Sequence, residues 1–369
     1  MEITFINRMM GIKIGGGESF DLNLARALKK RGHKIRFIVG SQKNAPTFLD
    51  REFDEVIYIK TPYLRNIHYK FQPTNIFNKV ISVGASMIDG TLFENKVFSF
   101  LKNREFGDIY QLCGLSELGE RLEKRGKRCS VFWPGPPSLK REKSIKACSL
   151  HFSHGDSINR LKLMIDNVYE ILPGVDTEVF YPSIEKEKRD RVRLIFVGRL
   201  VPVKNIPFLI KAFNEALMEF ENMELAIVGE GPMEEELRKL AYKNIEFLGF
   251  LNEEELAKEY RNSDIFCIVS SYESFSIVTL EAMASSLPVI VSNVGYLPSL
   301  AEDNGIVVER DNVKALKEAI LRLAKNRELR EEMGKMGYEK VIKNYSWEES
   351  AKKVEKLYEK VLENEVSCN

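Results

Sequence analysis

Short apolar runs of strand character alternate with helical patterns along nearly the whole chain. "ITFI", "KIRFIV", "VIYI", "DIYQL", "CSVFW" and "LHFS" follow one another in the first part. A second set, "LIFVG", "ELAIVG", "NIEFLGF", "DIFCIVSS", "PVIVS" and "GIVVE", begins at Leu194. This rhythm argues for parallel sheets with helices between the strands, an α/β chain. Between the sets lies "LPGVDTEVFYPSIEKEKRDR", a Pro and a Gly followed by a charge run, which suits an interdomain linker. From Asn312 the pattern is almost all helical, ending in "SWEESAKKVEKLYEKVLEN". With 369 residues the chain is long enough for two domains. Two doubly wound domains of similar size are expected to face one another across a cleft, where such sheets bind ligands.

Composition narrows the class. A hydrophobic content of 44% with 30% charged residues is that of a soluble globular protein. There is no apolar run of 18 residues, so no membrane-spanning helix is expected. The N-terminus "MEITFINRMM" carries an acid at position 2 and is unlike a signal peptide. Five scattered cysteines without a C-x-x-C read as reduced thiols in a cytoplasmic protein, and the four histidines (33, 68, 151, 154) have no zinc spacing. No metal site and no cofactor are expected. The net charge of +1 hides an asymmetry: residues 1–172 hold 28 Lys+Arg against 18 Asp+Glu, a net +10, and residues 173–369 carry −9. Such asymmetry is a clue to partners, with a merely solvated surface as the alternative.

Several loops carry chemistry. "VGRLVPVKN" places Arg199 and Lys204 just after the first strand of the second set, where two cations suit a diphosphate; surface salt-bridging is the alternative. In "VGEGPMEEEL", Gly229 and Gly231 would let backbone approach a flat ligand. "GGGES" opens the first helix, and its amides are suited to an anion, though the spacing is neither G-x-G-x-x-G nor a Walker loop. "SSYESFSIVTLEAMASSLPVIVS" holds Glu273 and Glu281, seven residues apart, one in a polar loop and one inside an apolar helix. Ser274 or Ser276 would cap that helix. The carboxylates would accept hydrogen bonds from hydroxyls of a sugar or ribose; for Glu281 a core Arg or Lys partner is the other reading.

The ordered set of motifs resembles glycosyltransferase family 4, retaining enzymes of the GT-B fold. The matching segments are "GGGE", "ARALKKRGHKI", "LPGVDTEVF", "FVGRLVPVKN", "IVGEGP", "FLGFL", the Glu273–Glu281 pair in "ESFSIVTLEAMA", "LPVIVSNVG" and "YSWEESAKKVEKLYEKVL". The resemblance is strong from Ile171 to Leu362 and thin from Ile59 to Lys146. It implies a GT-B fold with residues 1–172 as the acceptor-side domain, completed by a returning helix over 347–369. Residues 173–346 would be the donor domain. It further implies that Arg199 and Lys204 bind the diphosphate of a nucleotide-sugar and Glu281 its ribose. Glu273 would contact the donor sugar. Ser274 and the amides of Phe275, Ser276, Ile277 and Val278 would help seat sugar and phosphate. Gly231 and the backbone near Leu248 would flank the base, and Gly16 and Gly17 would face phosphate or acceptor.

The implied reaction moves a hexose to an acceptor hydroxyl with retention and without a metal. The leaving diphosphate takes the acceptor proton while Arg199 and Lys204 stabilise its growing charge. The sequence departs from the family in three places. E-S-F-S replaces E-G-F-G, Ser285-Ser286 replaces C-G, and Gln111, Cys113, Trp133 or Pro134 stand where the family commonly has a histidine in the first domain. His151 and His154 are the candidates to replace that histidine. The rivals are a degenerate nucleotide-sugar-binding or scaffold protein of the same fold, and an epimerase or phosphorylase on the same plan. The basic first half, and the interleaving of Tyr63, Tyr69, Phe71 and Phe77 with Arg65, Lys70 and Lys79, suit an anionic glycolipid acceptor at a membrane surface; nucleic acid fits poorly.

Overall fold

The computed structural model describes residues 1–10, 12, 15–41, 48–61, 76–183 and 190–363. Contacts divide the chain into two compact units, Met1–Leu172 with Trp347–Asn369, and Pro173–Ser346. The first contains strands β1 (Glu2–Asn7), β2 (Lys34–Ser41), β3 (Glu55–Lys60), β4 (Ile109–Cys113), β5 (Arg128–Trp133), β6 (Leu150–Ser153) and β7 (Val168–Glu170). They pair in the order β3-β2-β1-β4-β5-β6-β7, every pair parallel. The second contains β8 (Val192–Val197), β9 (Met223–Val228), β10 (Ile245–Gly249), β11 (Ile265–Ile268), β12 (Val289–Ser292) and β13 (Gly305–Val308). Their order is β10-β9-β8-β11-β12-β13, again all parallel.

Both sheets therefore reverse direction once. In the first unit the order runs outward from β1 to β3 on one side and from β4 to β7 on the other. In the second it runs from β8 to β10 and from β11 to β13. The neighbouring strands at each reversal send their following helices to opposite faces, which leaves a crevice at their carboxyl ends. The central strands are apolar on both faces, as parallel sheets require: β8 is "VRLIFV", and from Arg193 onward it is buried. Cys113, Cys129, Cys148 and Cys267 are free thiols.

The C-terminal helix, Trp347–Glu363, belongs to the first unit. Trp347, Ala351, Val354 and Tyr358 recur at helical spacing and form its buried stripe. They join the same core as Phe20, Leu24, Ala27 and Leu28 of helix Gly16–Lys30. Burial of each large side chain contributes about 2 kcal/mol. Polar contacts fix the register. Arg31 pairs with Glu355 and, at 2.6 Å, with Glu348, and His33 Nε2 lies 2.8 Å from a Glu355 oxygen. Ser350 Oγ donates to the Leu172 carbonyl at 2.7 Å, and the Tyr358 hydroxyl to Gln111 Oε1 at 2.8 Å.

Two elements were not legible in the sequence: the helix Ile76–Leu101 and the three-residue strand β7. Tyr63, Arg65, Tyr69, Lys70 and Phe71 of the aromatic and basic stretch lie outside the described residues. Among the described residues no helix is long and apolar enough to cross a membrane.

Asp21 is fully buried one turn into helix Gly16–Lys30, where Asn7 Nδ2 donates to its Oδ2 at 2.8 Å. Burial pushes its carboxyl up to about 8, far above the ~3.9 of an unfolded chain. Between those values the native state holds a proton that the unfolded state has released. Stability from this group is therefore fully present below about pH 4 and is lost as pH rises towards 8. Asp21→Asn should flatten this slope, with a melting temperature at least ~3 °C above the parent at pH 9 and a smaller gap at pH 5. Thermal unfolding of both proteins across that range checks it; parallel curves would remove Asp21 as the cause.

Candidate functional site

The site is built at the sheet reversal of the second unit. β8 and β11 are neighbours, with Ile265 beside Leu194 and Phe266 beside Ile195. The loop after β8 runs through Gly198 and Arg199, makes a short 3-10 turn at Pro202–Lys204, and enters helix Ile206–Leu217 through Asn205 at φ 51°. Asparagine tolerates that left-handed conformation better than most residues. The loop after β11 carries Ser270 to Ser276 and enters helix Ile277–Ala284. The two loops are joined by backbone: Ser271 N–H donates to the Val203 carbonyl at 2.8 Å, and Ser271 Oγ to the same oxygen at 3.2 Å.

Across that join the Lys204 ammonium pairs with the Glu273 carboxylate. Each side chain is only 15% exposed, so each charge needs the other. Ser270 Oγ also donates to Glu273 Oε2, at 3.4 Å, while Ser292 Oγ holds the Ser270 carbonyl at 2.7 Å. Arg199 is exposed in the same β8 loop. Of the two cations, only Arg199 faces solvent. Lys204 is largely withdrawn, because a carboxylate in the adjacent loop draws it in.

Glu281 lies about one turn along helix Ile277–Ala284. Its carboxylate meets neither a core Arg nor a core Lys: Oε2 accepts from the Tyr260 hydroxyl at 3.1 Å. Burial pushes Glu281 up to about 7, against the lowering effect of the Tyr260 hydrogen bond, and Glu253 adds a further upward push. The helix start differs from the expected cap. Ser276, at φ 87°, makes no side-chain cap hydrogen bond; its hydroxyl lies 2.8 Å from Thr279 Oγ1. Phe275 is buried, stacked on Tyr296 at 4.8 Å. Ile277 and Val278 form the first turn, whose amides have no partners within the helix itself. Ser274 is half-buried between Glu273 and Phe275.

The glycines have a packing reason beside the ligand approach read in sequence. A Cβ on Gly231 would sit 2.3 Å from the Leu200 carbonyl oxygen, and one on Gly229 would sit 2.1 Å from that of Gly198. The β9 loop needs glycine to lie against the β8 loop. Leu248 sits half-buried in β10, beside the same loop, where Gly229 N–H donates to the Gly249 carbonyl at 2.7 Å. In the first unit Gly17 packs on Pro134 and Cys113, whereas Gly16 is exposed with open space around it. These two belong to the other compact unit.

The candidate histidines are interior. His151 is fully buried; its Nδ1 accepts from Trp133 Nε1 at 3.1 Å and its Nε2 bonds the Ile145 carbonyl at 2.9 Å. His154 lies against the rings of Phe20 and Phe132, which stack on each other. Burial pushes both down to about 4, which keeps them neutral at pH 7. Gln111 and Trp133 are buried as well, Cys113 is half-buried and Pro134 exposed. Among the described residues no cluster of three or more His, Cys, Asp or Glu is placed to hold a metal ion. A surface groove of about 590 Å³, lined by Pro207, Ile210, Met218, Leu240 and Tyr242, includes none of the residues above.

Sequence reasoning missed Tyr260, Ser270 and Gly295. The signal for Tyr260 was present: it follows Ala257 by three residues on the one apolar face of a very polar helix, and a buried tyrosine hydroxyl needs a partner. Gly295 has φ 52°, and a Cβ there would lie 1.7 Å from the Glu273 carbonyl oxygen. Gly295→Ala should displace the Glu273 loop and cost roughly 1–3 kcal/mol. Gly16→Ala, with open space, should stay within about 0.5 kcal/mol of the parent. Denaturant unfolding of the two variants tests this; an unchanged midpoint for Gly295→Ala would mean that the loop yields freely.

Residues 180–340 match the family described as glycosyl transferases group 1. An uncharacterized glycosyltransferase of Methanocaldococcus jannaschii is 36% identical over 181 residues, 47% of this chain and 46% of that protein. A probable sucrose-phosphate synthase of Thermosipho melanesiensis is 34% identical over 222 residues, 57% and 51% of the two chains. The chain spans about half the length of these curated relatives. Among solved structures, sucrose-phosphate synthase from Thermosynechococcus elongatus superposes with a TM-score of 0.78 at 18% identity, over 99% of this chain and all of the other. Anabaena Alr3699/HepE, solved in complex with UDP-glucose, gives 0.71 at 16% identity over the full length of both. The chain has the GT-B fold, two Rossmann-like units with a long C-terminal helix, and its second unit is related to the glycosyl transferases group 1 family.

Proposed function

We propose that the protein is a retaining glycosyltransferase of family 4 that moves a hexose from a nucleoside-diphosphate sugar to an acceptor hydroxyl without a metal. The observation that carries this reading is the Lys204–Glu273 pair between the loops after β8 and β11, with Arg199 in the first of these loops and Glu281 on the helix that follows the second. The relationship of that unit to group 1 glycosyl transferases and the UDP-glucose bound by a neighbour of the same fold support it.

In this reading Arg199 and Lys204 take the diphosphate, together with the first-turn amides of helix Ile277–Ala284. As the sugar–phosphate bond breaks, negative charge grows on the leaving oxygen, and the two cations stabilise it where water is scarce. That oxygen then accepts the acceptor proton. Glu273 turns its carboxylate from Lys204 to the sugar hydroxyls, and Glu281 accepts from the ribose hydroxyls. Ser274, Phe275, Ser276, Ile277 and Val278 line the sugar and phosphate, and Gly231 and Leu248 flank the base. The first unit, with Gly16 and Gly17 at its glycine loop, receives the acceptor. A cytoplasmic location, with the basic first half resting on an anionic membrane that carries the acceptor lipid, completes the reading.

Arg199→Ala or Lys204→Ala should cut turnover at least ~100-fold, the scale of one charge-stabilising contact. Only Lys204→Ala should also lower the melting temperature, since it strands a largely buried Glu273. Glu273→Gln should spare binding of the free nucleoside diphosphate and slow transfer. Glu281→Gln should weaken that binding. Release of nucleoside diphosphate from a panel of nucleotide-sugars, with and without acceptors, measures turnover; full turnover in Arg199→Ala would remove that residue from the reaction.

The membrane part is tested separately. The protein should float with anionic vesicles and not with neutral ones, and less so at high salt, because screening limits surface charge to a reach of roughly 8 Å at physiological ionic strength. Failure to float with either vesicle overturns the membrane placement and leaves the transfer reaction intact.

A further inference from the structure

Tyr260 sits on helix Glu253–Arg261, which is fixed before any ligand arrives. Asn252 caps it: its Oδ1 accepts from Glu255 N–H at 3.0 Å, and Glu255 Oε2 accepts from Asn252 N–H at 2.9 Å. Arg261 anchors the other end on the Val179 carbonyl at 3.1 Å. The Tyr260 ring is fully buried, with Phe180 edge-on at 5.9 Å and Phe266 at 6.1 Å. Its hydroxyl is thereby held at one point, 3.1 Å from Glu281 Oε2 and 3.0 Å from the Val278 carbonyl. Two acceptors share one proton. With Glu281 ionised, the hydroxyl serves the carboxylate. With Glu281 protonated, the hydroxyl serves Val278 and can accept from the carboxyl group.

We propose that Tyr260 is a positioning residue for nucleotide binding: its hydroxyl holds Oε2 of Glu281 so that the carboxylate stays ionised and presents Oε1 to the ribose hydroxyls of the donor. This rests on the reading of Glu281 given above. The groups acting on Glu281 are Tyr260 and Glu253, both from the same helix, and they oppose each other. Burial alone would leave the carboxyl protonated at neutral pH. A protonated carboxyl has lost an acceptor site that a vicinal diol needs. The tyrosine hydrogen bond favours the charged form and so extends tight binding towards lower pH.

The test is calorimetric titration of UDP and GDP into the parent, Tyr260→Phe, Glu281→Gln and the double variant between pH 5.5 and 9. In the parent, affinity should fall as pH drops through about 7, where Glu281 takes up its proton. Tyr260→Phe should shift that fall upward by about one pH unit, which weakens binding about 5-fold at pH 7 and about 10-fold at pH 5.5, with the gap closing by pH 9. In the Glu281→Gln background only the pH dependence of the nucleotide's own terminal phosphate, which ionises near pH 6, should remain, and Tyr260→Phe should add nothing. A merely structural tyrosine would instead lower the melting temperature and weaken binding equally at every pH, which overturns the proposal. Parent-like affinity and pH profile in Tyr260→Phe overturns it too, provided Glu281→Gln binds weakly. If Glu281→Gln binds like the parent, or the parent binds neither nucleotide, the reading of Glu281 itself falls and the role of Tyr260 with it.

Discussion

The second unit is organised around one electrostatic constraint, the pairing of Lys204 with Glu273 between two adjacent loops. Neither charge could be withdrawn this far from water alone. The pair in turn dictates how closely the β8 and β11 loops approach, and the Ser271–Val203 backbone bond records that approach. Closeness then demands small residues below and beside the loops. Gly295 lies under the Glu273 carbonyl, and Gly229 and Gly231 lie against the β8 loop. A run of glycines that resembles a ligand contact in sequence is thus also the packing that an ion pair between loops requires. For the proposed reaction the arrangement has a further consequence. A diphosphate arriving at Lys204 exchanges one anion for another, so the cation is already oriented and partly desolvated before chemistry begins.

The first unit repeats the same sheet reversal with different contents. There the loop after β1 leads into the glycines of helix Gly16–Lys30, and β4 ends at Cys113. Beneath this switch point lies a buried polar layer in which Asn7 holds Asp21 and Tyr358 of the last helix holds Gln111. That last contact explains why the C-terminal helix is built into this unit. Its apolar stripe supplies burial, but Tyr358 and the Arg31–Glu355 pair specify where along helix Gly16–Lys30 the stripe must sit.

The parallel sheets were legible because strands covered on both faces read as unbroken apolar runs. β7 was not, since "VYE" has one buried residue and no run to detect. Helix Ile76–Leu101 escaped because its stretch lacks the clean polar–apolar alternation by face seen in helix Val313–Lys325. In the site, residue types were legible and their partners were not. Lys204 and Glu273 are 69 positions apart, and only the adjacency of β8 and β11 makes them neighbours. Glu281 in an apolar helix was visible as an anomaly. Its tyrosine partner was hidden, because a tyrosine three residues after an alanine looks like core and nothing in the spacing reveals where its hydroxyl ends. For the histidines, "SLHFSH" reads as a strand and its end, as it proves to be, and Trp133 and the Ile145 carbonyl already occupy His151.

The two serines that stand where the resembling family has glycine bear on how rigid the donor loop is. Ser276 holds φ at 87°, a conformation that costs a residue with a β-carbon about 1 kcal/mol or more. Its hydroxyl recovers part of that through Thr279, and its backbone sets the angle at which helix Ile277–Ala284 leaves the Glu273 loop. Phe275, stacked on Tyr296 and edge-on to Tyr345, locks the preceding residue. A glycine at 276 would relax the strain but free the backbone as well. With serine, the loop gives up intrinsic stability and keeps one conformation. That is the trade a preorganised site makes: the loop backbone and the first-turn amides are set in place, and in the proposed reaction only the Glu273 side chain has to turn from Lys204.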